Sequence, residues 1–140
     1  MRLILSFLFV LLLTACAGPQ VRGTGDLGLV IERASGQVTL VDTTTRQPYA
    51  RIGNLGDLSH ASAVYSRDGR FAFVFGRDGG LTKIDMLEAK VVKRVMQSGN
   101  AIGGSISQDG RIVVAQNYTP GGIKAFDAAT LELLSEVPAE

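Results

Sequence analysis

The sequence predicts an all-β fold built of β-propeller blades, and three observations lead there. Two independent markers repeat at one period: the aspartates Asp42, Asp85 and Asp127 stand 43 and 42 residues apart, and Ser66-Arg67-Asp68-Gly69-Arg70 returns 41 residues later as Ser107-Gln108-Asp109-Gly110-Arg111. Apolar residues fall in short runs punctuated by Asp-Gly and Gly-Gly, the pattern of antiparallel strands joined by tight turns. The 17 glycines supply those turns, and no long apolar periodicity of a helical kind is present after residue 16. A period of about 42 residues with about four strands per unit is the signature of a propeller blade. A β-sandwich, the other all-β arrangement, needs no repeat.

The chain opens on Met1-Arg2, then eleven residues, Leu3 to Leu13, that are apolar except for Ser6, and then Thr14-Ala15-Cys16. A basic start, an apolar centre and small residues before a cut describe a cleaved export signal. The apolar centre is shorter than the roughly 20 residues a membrane-spanning helix needs. Leu13-Thr14-Ala15-Cys16 resembles the lipobox of bacterial lipoproteins, in which the cysteine is acylated and becomes the first residue. Residues 1–15 are therefore expected to be a lipoprotein signal peptide, Cys16 the lipidation site, and residues 16–26 a tether and spacer. Cys16 is the only cysteine, so no internal disulfide is available, and an unpaired thiol would be a liability in an oxidising compartment.

Removal of residues 1–15 leaves 13 basic against 13 acidic residues. That balance argues against a nucleic-acid partner, which calls for a basic face. Gly23, Gly25 and Gly28 spell G-x-G-x-x-G, but the dinucleotide fingerprint requires a strand before it and a helix after it. Here a spacer precedes and the strand-like Leu29-Val30-Ile31 follows, so the motif is rejected.

From residue 27 the chain is read as three repeats: residues 29–42, 72–85 and 113–127 each hold an apolar run, a turn and an alternating strand closed by Asp. Further alternating segments follow at 91–95 and 131–137. Three repeats fall short of the roughly 4 to 8 blades of closed propellers. Residues 27–140 are accordingly expected to be a partial propeller, a fragment of a longer protein.

The only histidine, His60, lies in Gly56-Asp57-Leu58-Ser59-His60-Ala61-Ser62, just ahead of a strand. Connections at that point sit at one end of a propeller's central channel, where a neutral imidazole could bind a metal or act as a base. A lone histidine can equally be a hydrogen-bonded turn residue. Arg33, Arg67, Arg70, Arg77 and Arg111 lie near strand ends, and guanidinium forks suit a ligand bearing carboxylates. Arg70 and Arg111 directly follow Asp-Gly and recur with the repeat, which favours solvated turn charges. Arg33 and Arg77 occupy equivalent places in the first two repeats, where the third has Asn117 and Tyr118.

The run from Gly56 to Ser62, followed by Ser66-Arg67-Asp68-Gly69-Arg70-Phe71-Ala72-Phe73-Val74-Phe75-Gly76-Arg77-Asp78-Gly79 and Lys83-Ile84-Asp85, resembles the haem-d1-binding propeller of cytochrome cd1 nitrite reductase. Asn117-Tyr118-Thr119-Pro120 and Asp127-Ala128-Ala129-Thr130-Leu131-Glu132 extend the likeness into the next repeat. With a lipoprotein signal and no Cys-x-x-Cys-His, the chain is similar to the accessory proteins of haem d1 biosynthesis. The resemblance implies an eight-bladed propeller. It also implies haem d1 or its dihydro precursor as ligand or substrate, with His60 as iron ligand or catalytic residue and Arg77, Tyr118 and Arg33 as cofactor-binding residues.

A periplasmic protein of a Gram-negative bacterium is expected on this basis, membrane-anchored through Cys16, binding a d1-type tetrapyrrole and serving cytochrome cd1 nitrite reductase or a related maturation protein in denitrification. Catalysis on the tetrapyrrole and simple binding and transfer both remain open. The competing expectation is a non-enzymatic propeller scaffold lipoprotein of an envelope complex.

Overall fold

In the computed structural model, residues 23–139 are described, and they form three antiparallel sheets in chain order. Cys16 and the expected signal segment lie outside them. The first sheet contains β1 (Leu27–Glu32), β2 (Gln37–Asp42) and β3 (Gln47–Ile52). The second contains β4 (Ser62–Tyr65), β5 (Phe71–Phe75), β6 (Gly80–Asp85) and β7 (Lys90–Met96). The third contains β8 (Asn100–Ile106), β9 (Ile112–Thr119), β10 (Gly121–Asp127) and β11 (Leu133–Pro138). Each sheet is a simple up-and-down meander. The innermost strands β4 and β8 of neighbouring sheets lie against one another, which is the arrangement of propeller blades.

The repeated residues are turn chemistry. The Oδ1 atom of Asp42 accepts the N–H groups of Thr44 and Thr45 at 2.9 and 2.8 Å. Asp85 does the same for Leu87 and Glu88, both at 3.0 Å, and Asp127 for Ala129 and Thr130, both at 2.8 Å. Each aspartate thus brackets the turn that leads to its blade's outermost strand. The serine bonds of the two Ser-x-Asp-Gly-Arg turns match: the Ser66 and Ser107 hydroxyls each donate to the carboxylate two residues on at 2.6 Å and accept the N–H of Phe71 and Ile112.

The core is sandwiched between blades, and the second blade is buried on both faces. Along β5, Ala72 and Val74 point to the first blade and join Val38, Leu40 and Ile84, while Phe73 and Phe75 point to the third and join Leu81, Val113 and Phe126. This explains why Phe71 to Phe75 reads as a continuous apolar run rather than an alternating one. Truncating a buried Phe such as Phe73 would cost about 3–5 kcal/mol. Polar ties stitch the same boundaries: Thr24 donates to the Asp68 carbonyl at 2.6 Å, Arg67 to that of Gln108, and Tyr49 to that of Leu87 at 2.8 Å.

One sequence expectation is adjusted. The last strand begins at Leu133, not 131; Leu131 sits in the turn with φ 55° and is buried. Gly23 precedes a short 3-10 turn, Thr24–Asp26, that contains Gly25 and runs straight into β1, in keeping with the rejection of the dinucleotide motif.

Candidate functional site

Strand direction sorts the candidate residues into two ends. The turns after β1 and β5 and the loop before β4 lie at one end, which we call the upper, with the close of β9; the Ser-x-Asp-Gly-Arg turns and the aspartate brackets lie at the other. Arg33, His60, Arg77 and Tyr118 therefore share the upper end. Arg67, Arg70 and Arg111 are at the lower end, so the arginines do not gather round one pocket. Each of these three has its own partner there: Arg67 the Gln108 carbonyl, Arg70 the Asp85 and Glu88 carboxylates, Arg111 the Asp109 carboxylate.

The loop of residues 53–61 carries His60 and is pinned by apolar side chains on either side of it. Leu55, Leu58 and Ala61 are buried in the core between the first two blades. The Ala61 N–H donates to the Leu58 carbonyl at 3.0 Å, and the Ser59 N–H to Asp57 Oδ1 at 2.9 Å. His60 is left on the outside of this tight curl, exposed and with no side-chain hydrogen bond among the described residues. The turn after β5 is joined to the same loop, because the Arg77 N–H donates to the Asp57 carbonyl at 2.8 Å.

His60, Arg77, Asn100, Ile102 and Tyr118 line one open cavity of about 170 Å³ between the second and third blades. They come from four places: the loop before β4, the turn after β5, the start of β8, and the end of β9. A complete small-molecule site is typically about 300–1,000 Å³. The cavity's chemistry is an imidazole, a guanidinium, an amide and a phenol around an apolar contact, and Tyr118 is 72% exposed. Hydrogen bonding from Ser59, followed by the nearby Arg77 guanidinium, holds the Asp57 carboxyl below its usual range. Asp57 therefore stays ionised beside Arg77.

Arg33 lies exposed in the turn after β1, at the same end but outside this cavity. Asn117 is buried and exchanges hydrogen bonds with Gln97, at 2.8 and 2.9 Å, so of the polar pair at that place only Tyr118 lines the cavity. Sequence reading passed over Asn100 and Ile102. Asn100 stands 41 residues after Ser59, the same interval that separates Asp68 from Asp109, and that interval could have found it. Among the described residues no cluster of His, Cys, Asp and Glu forms a metal site by itself.

Fold and cavity together define a β-propeller protein with an open cavity between adjacent blades. Residues 22–140 match the family described as Cytochrome D1 heme domain, and the chain belongs to that family. It is 59% identical over 128 residues to Protein NirF of Stutzerimonas stutzeri, covering 91% of this chain and 33% of that protein. It is likewise 59% identical over 133 residues to Protein NirF of Pseudomonas aeruginosa, covering 92% and 34%. Among solved structures, dihydro-heme d1 dehydrogenase NirN in complex with DHE superposes with a TM-score of 0.79 at 32% identity, over 90% of this chain and 27% of that one. The chain thus spans about a third of the length of the relatives it matches.

Proposed function

We propose that this chain forms part of a propeller that holds haem d1 or its dihydro precursor during haem d1 biosynthesis. The observation that carries the reading is the convergence of His60, Arg77 and Tyr118 from separate elements on one cavity. In this reading the His60 imidazole binds the iron, the Arg77 guanidinium pairs with a ring carboxylate, and the Tyr118 ring packs against the macrocycle. Asn100 would hydrogen-bond a polar substituent, and Arg33, outside the cavity at the same end, would meet a further carboxylate. The tetrapyrrole supplies the metal centre and a redox-active conjugated ring.

The chain's own residues orient that ring. Asp57, ionised beside Arg77, offsets part of the positive charge that would otherwise crowd the site. The cellular side of the proposal is a periplasmic lipoprotein anchored through Cys16, with cytochrome cd1 nitrite reductase or a related maturation protein as the receiving partner. A Cys16→Ser variant that stayed with the membrane fraction as firmly as the parent would overturn the anchor.

The central test mixes the protein with the dihydro precursor and follows absorption and mass. A shifted band at constant mass marks binding, and a new mass marks catalysis. His60→Ala should abolish the shift. An unchanged spectrum on adding tetrapyrrole to the parent protein would sink the ligand reading and favour the envelope scaffold.

A further inference from the structure

We propose that Arg94 is a positioning residue for this site: its guanidinium ties the loop carrying His60 to the turn carrying Arg77, so one side chain outside the cavity sets the spacing of two that line it. Its functional meaning rests on the ligand reading above.

Arg94 lies on β7, paired with Thr82 of β6, and three-quarters of its side chain is shielded. Its Nη2 donates to Asp78 Oδ2 at 2.6 Å and to the Leu55 carbonyl at 3.2 Å. Asp78 directly follows Arg77 and also accepts the Gly80 N–H at 3.0 Å, so the ion pair grips the turn itself. Leu55 lies in the 53–61 loop that carries His60. The guanidinium thus bridges both segments, beside the Arg77-to-Asp57 main-chain bond that joins them a second time.

Two glycines make room for it. A Cβ on Gly56, which has φ +81°, or on Gly80 would collide with the Arg94 guanidinium, and one on Gly56 would also strike the Asp78 carboxylate. Arg94 Nε is buried without a hydrogen-bond partner among the described residues. That is how a guanidinium placed for reach looks, as opposed to one placed to satisfy all its donors.

His60, the only histidine of the chain, provides a readout that needs no ligand. Its imidazole Cε1–H signal, assigned by its loss in His60→Ala, should move and broaden in Arg94→Lys, whose side chain is one atom shorter and does not bring its ammonium to the place of Nη2. Asp78→Asn should do the same, and carries the test if Arg94→Lys does not fold. Arg111→Ala, at the far end, should leave the signal in place. Affinity for the dihydro precursor should fall about tenfold in Arg94→Lys, with an altered absorption band.

An unmoved His60 signal in the folded variants overturns the positioning role even where His60→Ala abolishes binding. A displaced signal with no tetrapyrrole bound by the parent upholds the role and sinks the ligand reading instead.

Discussion

Arg70 grips Asp85 with two donors, Nε at 3.0 Å and Nη2 at 2.9 Å, whereas its repeat partner Arg111 turns back onto Asp109 two residues earlier. The Asp85 side chain is 4% exposed and that of Asp109 is 48% exposed. Burial alone would raise the Asp85 carboxyl, but the N–H groups of Glu88 and Leu87 and the Arg70 guanidinium more than offset it and hold it below its usual range. Arg70→Ala should therefore cost about 1–3 kcal/mol of unfolding free energy in urea, and Arg111→Ala about 0–1 kcal/mol. A carboxylate with a depressed folded pKa contributes stability above its unfolded pKa and loses it as pH falls through the folded value. Asp85→Asn should accordingly flatten the acid limb of the stability curve below about pH 4. An equal cost for the two arginine variants would show that the repeat, and not burial, governs them.

Gln97 and Asn117 close the boundary between the second and third blades with a buried two-way amide exchange. Replacing one member leaves the other amide buried and unpaired, at about 1–3 kcal/mol. Gln97→Leu should destabilise by that amount, and Gln97→Leu with Asn117→Leu should recover part of the loss. A double-mutant cycle by chemical denaturation reads the coupling directly, and strict additivity would sink the claim.

The repeat made the fold legible because its markers are local chemistry. Asp42, Asp85 and Asp127 bracket turns through bonds to residues two and three places on, and such bonds leave a fixed interval in the sequence. β8 was hidden for the opposite reason. Its Gly103-Gly104 pair reads as a turn, yet Gly104 is extended strand whose absent Cβ leaves space for the Phe75 ring and the Val114 carbonyl. For the site, His60, Arg77 and Tyr118 were readable by position in the repeat. The lower-end placement of Arg67, Arg70 and Arg111 was not, because strand direction decides the end of the blade while the sequence shows only that a residue is near a turn. Lys83 was silent too, since its partners Ala128 and Ala129 offer backbone carbonyls, which any residue type provides, and Arg94 because its partners Asp78 and Leu55 are distant in sequence.

Glycines of the rejected dinucleotide motif and those of the blade turns should part company on substitution. A Cβ on Gly25 meets nothing within 4 Å, so Gly25→Ala should shift stability by no more than about 0.5 kcal/mol. Gly79 has φ +85°, and a Cβ there would run into the Ser98 main chain. Left-handed backbone costs a side-chain-bearing residue about 1–2 kcal/mol before any collision, so Gly79→Ala should lose more than about 2 kcal/mol. Thermal unfolding of the two variants decides it.

Lys83 ties the second blade to the third from within, and its titration should be visible in stability. It is only 6% exposed; Nζ donates to the carbonyls of Ala128 and Ala129 at 2.9 Å each and stands 4.3 Å from the centre of the Phe71 ring. Burial lowers its pKa, against the opposing pull of Asp127 and Asp85. Between the lowered folded value and the ordinary value of about 10.4 the unfolded chain binds more protons than the folded one, so unfolding free energy rises with pH through that window. Below the window both states are charged and the desolvation cost of burying the ammonium is borne in full. Lys83→Met keeps the apolar stem against Phe71 and Phe73 but removes the titrating group. The difference between parent and variant, measured by urea unfolding from neutral pH to about pH 10.5, should therefore change in favour of the parent as pH rises. A difference that stayed flat or ran the other way would mean that the folded protein holds this ammonium at no penalty relative to water, its two carbonyls and the Phe71 ring replacing the lost hydration completely.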